Sequence, residues 1–351
     1  MKPYTCLAKN LDSLYLSCNV ANREVIKGYY ELLEDRKKAA QAGGLGEVKL
    51  GDRIFTLLPY GRSGYKYVLK GSGFDVRLGS DSEYIPAMYV EFRSVFLWSY
   101  GLEGALDDFK KWVSSLNLEL FDERVSRCDY CLDFYVPNYE LKKEKVTTRF
   151  KFYSLYGEYV GSPPDTLQLG KGDVGIRIYN KSKEVKKSLK FWLYDVWKVE
   201  KDVWRVEFQL RKRFLRDFNI VTVEDLELAL GDVLLYLTTE HTRLEDDKGL
   251  DRLWAKVIYE LQELNFSGIV RDRGYKSVID DQKRNTLNAI KGHLAKYAAL
   301  MSVERGDIVT FDDVVVEVIR CIRSEIENFE YPFDKVVNEK IIKLYNELVV
   351  W

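Results

Sequence analysis

The sequence is poor in histidine and cysteine, and both shortages limit the chemistry it can support. Only two histidines occur among 351 residues. Neither belongs to a His-hydrophobe-His pair, so a histidine-built metal site is excluded and carboxylates would have to hold any metal ion. The five cysteines are too few and too scattered for a disulfide framework, which indicates a reducing compartment. We therefore expect buried thiols in a cytoplasmic protein.

Other signatures are also missing. No apolar run approaches the ~20 residues that span a bilayer, and the first residues lack the pattern of a signal peptide, so we expect no membrane association. No GxxxxGK[ST] phosphate loop occurs, and any helicase or ATPase activity would have to come from another protein. At 46% hydrophobic residues, the chain has enough apolar side chains to form packed cores.

Positive charge is concentrated in one segment. From Arg127 to Arg216 there are 20 lysines and arginines against 12 acidic residues, a local net charge of +8. Because the whole chain carries −1, the remainder carries −9. A basic segment in an otherwise acidic protein is typical of a surface that binds along the phosphate backbone of a nucleic acid. The solvated face of a sheet gives the same pattern.

The order of the patterns along the chain predicts an α+β fold. Alternating residues and turn signals predict antiparallel sheets in two similar halves with packed helices, followed by a helical C-terminal module. Capping-box patterns at Thr222 and Thr310 mark helix starts in that module, and we interpret an apolar stripe beginning at Val314 as core. The predicted domains are an N-terminal sheet and helix half (1–117), a sheet half with the candidate site (118–218) and the helical module (219–351).

The predicted elements of the two halves follow from these patterns. The N-terminal half begins with a strand at 12–17, a helix at 23–40, a meander of short strands at 53–95 and a helix at 102–116. The predicted strands of the second half are 124–136, 148–156, 166–169, 175–179 and 204–212.

The first of three chemically interesting strands contains two carboxylates. Alternation places Arg127, Asp129, Cys131 and Asp133 on one face of this strand. Two carboxylates on one face are costly unless positive charge lies between them, and Mg²⁺ or Mn²⁺ would suit because both prefer oxygen ligands. Ion pairs with Arg127 and with a neighbouring strand explain the same residues equally well.

The second strand contains a candidate nucleophile. Ile176 and Ile178 are expected to face the core, whereas Arg177, Tyr179 and Lys181 share the other face. Free tyrosine has a pKa near ~10, so adjacent positive charge or a metal could make Tyr179 a competent nucleophile. The chain has 24 tyrosines, however, and strands favour aromatic residues, so this strand alone is equally typical of a structural tyrosine.

The third strand adds Glu207 to a polar face that also carries Arg205 and Arg211. If the three strands lie in one sheet with their polar faces together, Tyr179 can act as nucleophile. The carboxylates of Asp129, Asp133 and Glu207 would then hold a cation. The phosphate contacts would come from Arg177, Lys181, Arg205 and Arg211. Such a set would suffice for phosphoryl transfer.

These three strands, in this order, resemble the replication initiation factor family, often called Rep_trans. It groups rolling-circle plasmid initiators, relaxases of integrative conjugative elements and replication proteins of filamentous phages. Its Arg-x-Asp-x-x-x-Asp strand is matched at 127–133, its Arg-Ile-Tyr-x-Lys-x-x-Glu segment at 177–184 and its Arg-Val-Glu-hydrophobe strand at 205–208. The similarity extends over roughly 124–212 and departs from the family at 170–172, where Gly-Lys-Gly replaces a glycine-serine turn.

The resemblance implies a function and a mechanism. Tyr179 would attack a DNA phosphodiester and give a 5′-phosphotyrosyl link and a free 3′-OH, while Mg²⁺ or Mn²⁺ stabilises charge on the phosphoryl group. The implied activity is a metal-dependent, sequence-specific nicking and joining endonuclease that initiates rolling-circle replication. Tyr179, Lys181 and Arg177 are the expected catalytic residues. The residues expected to bind DNA are Arg127, Arg205, Arg211, Lys183, Lys186 and Lys187.

The expected partners are single-stranded or hairpin DNA at an origin, with a host helicase and a second copy of the chain as further candidates. Three alternatives stay open. The same chemistry could serve a relaxase of a conjugative or mobile element. The chain could instead be a non-catalytic protein that only binds origin DNA, or a metal-dependent hydrolase that activates water and keeps Tyr179 as a structural residue.

Overall fold

The computed structural model of the protein describes residues 1–44, 46–80, 82, 84–142, 146–157, 162–246, 249–269, 271, 275–327, 337 and 340–341. The chain divides into two compact units, Met1–Arg271 and Asp272–Trp351. The α+β class predicted from the sequence is confirmed. The predicted boundaries at 117/118 and 218/219 do not coincide with the division between these units.

The large unit contains fourteen described strands. They are β1 (Thr5–Val20), β2 (Glu47–Leu50), β3 (Arg53–Leu57), β4 (Tyr67–Lys70), β5 (Phe74–Leu78), β6 (Met88–Phe92), β7 (Leu120–Tyr135), β8 (Val146–Thr148), β9 (Tyr153–Tyr156), β10 (Thr166–Leu169), β11 (Val174–Asn180), β12 (Val203–Arg211), β13 (Thr242–Asp246) and β14 (Gly249–Leu250).

Eight described α-helices and a π-helix (Leu237–His241) connect and cover these strands, and two more α-helices lie in the small unit. The α-helices are α1 (Arg23–Lys27), α2 (Tyr30–Gln41), α3 (Ser94–Ser115), α4 (Lys181–Ser188), α5 (Trp192–Trp197), α6 (Lys212–Arg216), α7 (Val223–Tyr236) and α8 (Arg252–Leu261), then α9 (Tyr275–Arg305) and α10 (Phe311–Glu327). None of the helices in the described ranges is long and apolar enough to cross a membrane.

Eleven of the described strands form one sheet in the order β2-β3-β4-β5-β6-β1-β7-β12-β11-β10-β9, and every neighbouring pair is antiparallel. The two predicted sheet halves meet where β1 pairs with β7, two strands of 16 residues each. A single sheet therefore runs through both halves, which explains why the chain does not divide near residue 117. Strands β14, β13 and β8 form a separate small sheet.

One face of the large sheet carries the main core. Its apolar positions alternate along each strand, as at Cys128, Leu132 and Phe134 of β7, all fully buried. Helices α3, α7 and α8 contribute to the same core, for example through Trp112 and Trp254. The opposite face is polar, and a smaller apolar cluster formed by α4, α5 and β12 covers one end of it. That cover creates the buried polar environment of the candidate site.

Several predicted boundaries differ from the observed ones. The predicted helix at 23–40 is two helices. The predicted helix at 102–116 corresponds to the second segment of α3, which follows the non-helical Gly101 at φ 70° and ψ 175°. The predicted strand at 148–156 is split between β8 in the small sheet and β9 in the large one. Both capping boxes occur at helix starts, since the side chains of Thr222 and Thr310 accept hydrogen bonds from the amides three residues later.

The apolar stripe of α10 is less buried than predicted. Val314 is buried, whereas Ile319 and Ile322 are about half exposed, at 52% and 50%. The interpretation of the stripe as core therefore holds at Val314 and not at these two positions. The side chain of Ile326, a further member of the predicted stripe, lies outside the described residues.

Candidate active site

The three strands singled out in the sequence are neighbours in the order β7-β12-β11. Tyr179 on β11 lies opposite Arg205 on β12, and Arg205 lies opposite Asp133 on β7. One step along the same face, Arg177 lies opposite Glu207. The expectation that the polar faces of these strands come together is therefore met, and strand register sets the neighbours of the tyrosine.

The Tyr179 hydroxyl lies between a carboxylate and an ammonium group. Its Oη donates a hydrogen bond to Glu207 Oε2 at 2.8 Å, and Lys181 Nζ donates to Oη at 3.4 Å. Arg177 forms an ion pair with the same Glu207. Arg177 and Lys181 also lie over the tyrosine ring, 5.6 Å and 5.4 Å from its centroid. These contacts fix the orientation of the phenol.

The electrostatic environment keeps Tyr179 protonated at rest. Burial raises its pKa well above the ordinary value, and the negative charge of Glu207 raises this pKa further. Arg205 and Arg177 lower it, but these effects are smaller. Of the two activating influences expected from the sequence, positive charge or a metal, the neighbouring arginines do not bring this pKa down to its ordinary value. Tyr179 needs a group that accepts its proton, and Glu207 is already in hydrogen-bonding contact with it.

A cleft of about 280 Å³ lies beside Tyr179. Helix α4 begins directly after β11, where the Asn180 side chain accepts a hydrogen bond from the Lys183 amide, and this turn brings several lysines to the cleft. The acidic lining residues are Asp12, Asp165, Glu184 and Glu207. The basic lining residues are Arg177, Lys181, Lys183, Lys187 and Lys190. A cleft with these cations around a buried hydroxyl can hold a phosphodiester.

Two other predicted site residues form a buried ion pair. Arg205 donates to both oxygens of Asp133, at 2.6 Å and 2.8 Å, and neither side chain is exposed. Trp197 Nε1 donates to Asp133 at 2.9 Å, and Arg205 Nη1 donates to Asp12 at 2.8 Å. The prediction that Arg205 contacts DNA and Asp133 binds a metal does not fit these positions. Both side chains are fully buried and form an ion pair with each other.

The predicted three-carboxylate metal site also does not fit. Asp129 and Asp133 are four residues apart on β7, which corresponds to about 13 Å along a strand, too far for one ion with ligands at about 2 Å. Asp129 is paired with Arg127 at 2.8 Å and 2.5 Å. Within the described ranges, no group of three or more His, Cys, Asp or Glu side chains could hold a metal ion. A requirement for Mg²⁺ or Mn²⁺ stays a prediction.

The remaining residues predicted to contact DNA lie in two regions, helix α4 beside the cleft and the far end of β12 with the facing part of β7. Lys183 and Lys187 line the cleft, and Lys186 is exposed on the same helix without lining it. Arg211 is exposed at the far end of β12, opposite Arg127 in the register. The structure therefore brings two of these lysines to Tyr179 and places the two arginines further along the sheet.

Comparisons with known proteins find similarity to solved structures and not to a family model or a curated protein. No family model matches the sequence, and no curated protein is significantly similar to it. Among the similar solved structures is the rolling circle replication initiator protein from Geobacillus stearothermophilus. The similarity covers 75% of this chain and 99% of that chain, with 19% identity and a TM-score of 0.44.

Sequence reasoning missed Asp12, which lies at a register shift of β1 between Leu11 and Ser13. Its carboxylate accepts hydrogen bonds from Ser94 Oγ at 2.9 Å and Trp98 Nε1 at 3.2 Å, besides the one from Arg205. Arg205 holds the pKa of Asp12 well below its usual value, although burial acts in the opposite direction. Simple alternation could not reveal Asp12, because a bulge changes which way the side chain points.

Proposed function

We propose that this chain is a DNA nicking and joining endonuclease that initiates rolling-circle replication, with Tyr179 as nucleophile. The observation that carries the proposal is the hydrogen bond from the Tyr179 hydroxyl to Glu207 Oε2, beside a cleft lined by basic side chains. A buried phenol with an adjacent proton acceptor and cations for a phosphate has the parts that transesterification requires. The proposed substrate is single-stranded or hairpin DNA at an origin.

The proposed step is an in-line displacement at phosphorus. Tyr179 Oη attacks the phosphodiester as its proton passes to Glu207 Oε2. The bond from phosphorus to the 3′-oxygen breaks, and that oxygen takes a proton from water to become a free 3′-OH. The phosphate stays on the tyrosine as a 5′-phosphotyrosyl ester. Because the bond energy is retained, a 3′-OH can reverse the step and rejoin the strand.

Lys181 and Arg177 are proposed to stabilise negative charge during this step. The Lys181 ammonium already touches Oη, and Arg177 lies over the ring, so both are close to where charge develops on the tyrosine and the phosphoryl oxygens. Such preorganised charges lower the barrier because they need little rearrangement during the reaction. In this account Glu207 acts as a base, rather than as the metal ligand inferred from the sequence.

Replacing Glu207 by glutamine is expected to reduce the rate of covalent cleavage by about 10²–10⁴-fold, the usual contribution of a general base. The amide has a similar shape but cannot take the proton from Tyr179. The measurement is the rate at which a labelled single-stranded DNA pool becomes attached to the protein in a form that resists denaturation.

The matched control for this variant is Glu103→Gln, at an exposed position of α3 outside the cleft. It should cleave at the wild-type rate. If Glu207→Gln also cleaved at the wild-type rate, with thermal stability unchanged, Glu207 would not be the base.

The activity is also expected to fall at alkaline pH because Lys181 loses its proton. Burial and the nearby Arg205 lower the pKa of Lys181 from its usual 10.5, so its charge is lost at a lower pH than that of an exposed lysine. In Lys181→Arg, whose guanidinium keeps its proton, the alkaline decline should move to higher pH. The measurement is the single-turnover cleavage rate against pH, and identical profiles for the two proteins would exclude Lys181 as the source of the decline.

The alternatives give different results in the same assay. A protein that only binds DNA retains the strand without cutting it. A hydrolase that activates water cuts it without a covalent adduct. A relaxase of a mobile element shares the chemistry and differs in the origin it recognises. A host helicase and a second copy of the chain stay predictions.

A further inference from the structure

A second cleft, of about 540 Å³, adjoins the one at Tyr179. Asp12 and Lys190 line both clefts, so the two lie side by side. The second cleft lies over β1, β6 and the start of α3, with α5 at its side. The residues that distinguish it are Tyr15, Asp75, Glu91, Arg93, Ser94 and Trp192.

Two carboxylates of the second cleft are paired with neighbouring cations. Asp75 accepts from Lys70 at 2.5 Å and from Arg93 at 2.9 Å. Glu91 forms an ion pair with Arg77. Two carboxylates that are neutralised in this way add no net attraction for a phosphate. This surface is therefore better suited to an uncharged, flat group than to the DNA backbone.

The second cleft also offers a fixed aromatic ring. The guanidinium of Arg127 lies over the Tyr15 ring, 5.0 Å from its centroid, and Tyr89 packs edge-on at 6.2 Å. These contacts hold Tyr15 in place while its side chain stays partly exposed to the cleft. A preoriented ring of this kind can stack on a nucleobase at a small entropic cost.

A hydrogen-bond acceptor lies in the same cleft as this ring. Arg77 engages Oε1 of Glu91, and no other described residue donates to this carboxylate. Its second oxygen can accept from the exocyclic amino group of adenine, cytosine or guanine. Thymine has no such group. Lys190 lies between the two clefts, where it can contact the phosphate that links a nucleotide in one to a nucleotide in the other.

We propose that the second cleft binds one base of the single-stranded DNA next to the phosphodiester held at Tyr179. Tyr15 stacks on the base, and Glu91 accepts a hydrogen bond from its amino group. This proposal rests on the proposed function, because it takes single-stranded DNA as the substrate. It makes the pair Tyr15 and Glu91 a determinant of sequence preference beside the nick.

The test uses the full-length Tyr179→Phe protein, which retains the clefts and lacks the attacking hydroxyl. Single-stranded DNA is recovered from a random pool by binding to it, and each base of the recovered strand is replaced in turn by 2-aminopurine. Stacking on Tyr15 should quench the fluorescence at one position, or at two adjacent positions. The quenching should persist when Tyr15→Phe is added and disappear with Tyr15→Ala, together with about a 5- to 100-fold loss of affinity.

Tyr84→Ala is the matched control because Tyr84 is almost fully exposed, at 99%, and does not line either cleft. It should change neither the quenching nor the affinity. Equal quenching in the Tyr15→Ala and Tyr15→Phe proteins would overturn the proposal, and so would the absence of any position quenched by binding.

Base preference tests the role of Glu91. Thymine at the quenched position should weaken binding by about tenfold or more relative to adenine or cytosine, the expected effect of losing a hydrogen bond to a charged group. Glu91→Gln should reduce this discrimination, whereas Glu103→Gln should not. If thymine binds as well as the other bases, Glu91 does not read the base.

The base-binding proposal and the proposed function can be rejected independently of each other. They record binding, whereas the proposed function requires a covalent adduct with the wild-type protein. A normal adduct together with no Tyr15-dependent quenching would reject only the base site. Tyr15-dependent quenching without any wild-type adduct would reject the nuclease and keep the base site.

Discussion

Replacing Tyr179 by phenylalanine is expected to lower the rate of covalent DNA cleavage by about 10⁴-fold or more, as expected for loss of a nucleophile. The ring and its contacts with Arg177 and Lys181 can persist, and only the hydroxyl that donates to Glu207 is lost. DNA binding should therefore change little. The measurement compares adduct formation and strand retention for the two proteins on the same single-stranded DNA.

Tyr156→Phe is the matched control for this variant. Tyr156 lines the same cleft and is about half exposed, at 49%, so its hydroxyl is accessible to DNA. Its loss should leave the cleavage rate within about a factor of a few of wild type, because surface contacts of this kind are individually weak. A Tyr179→Phe protein that still formed the adduct at the wild-type rate would exclude Tyr179 as the nucleophile.

Replacing Asp133 by asparagine is expected to lower the free energy of unfolding by about 3–5 kcal/mol, the usual cost of leaving a buried charge without its partner. Arg205 is fully enclosed and, of its two ion pairs with described residues, would keep the one with Asp12. Urea unfolding followed by circular dichroism measures this change. The loss should be present without added metal, because the partner of Asp133 is an arginine.

Two further variants separate this explanation from metal binding. The double substitution Asp133→Leu and Arg205→Met should recover much of the lost stability, since a well-packed apolar pair can replace a buried ion pair. Asp129→Asn should cost less, because its partner Arg127 is partly exposed, at 21%. If Mn²⁺ raised the melting temperature of the wild type and not of Asp133→Asn, Asp133 would be a metal ligand and the ion-pair account would be wrong.

The main features of the site could be predicted from strand alternation. A period of two places Arg177, Tyr179 and Lys181 on one face and the neighbouring isoleucines on the other, and the fully buried Ile176 and Ile178 agree with this. The sequence pattern also predicts the three strands that carry the site. It does not predict their order in the sheet, which depends on strand pairing. Local patterns are reliable here because each strand buries one face and leaves the other polar.

The partners of each charge could not be predicted, because they depend on contacts distant in sequence. Arg205 meets Asp12 across 193 residues, and Trp197 of α5 donates to Asp133 across 64 residues. Alternation identified these residues as polar but did not show whether they face solvent, each other or DNA. The four-residue spacing of Asp129 and Asp133 on a strand already indicates that one ion cannot bind both carboxylates.

The domain division also depends on long-range pairing. The sequence pattern predicts two separate sheet halves, before and after residue 117, because each group of strands has its own turns and a helix. The pairing of β1 with β7 over 16-residue strands joins them into one sheet. Nothing in the local sequence of β1 identifies β7 as its partner, since both strands simply alternate polar and apolar residues.

The most direct test of the account is to identify the residue that carries the DNA. The wild-type protein is incubated with single-stranded DNA and Mn²⁺, the adduct is digested with nuclease and protease, and the modified peptide is sequenced by mass spectrometry. We expect a phosphodiester-linked nucleotide on Tyr179, attached through its 5′-phosphate. A nucleotide on any other of the 24 tyrosines, or cleavage without a modified peptide, would contradict the account.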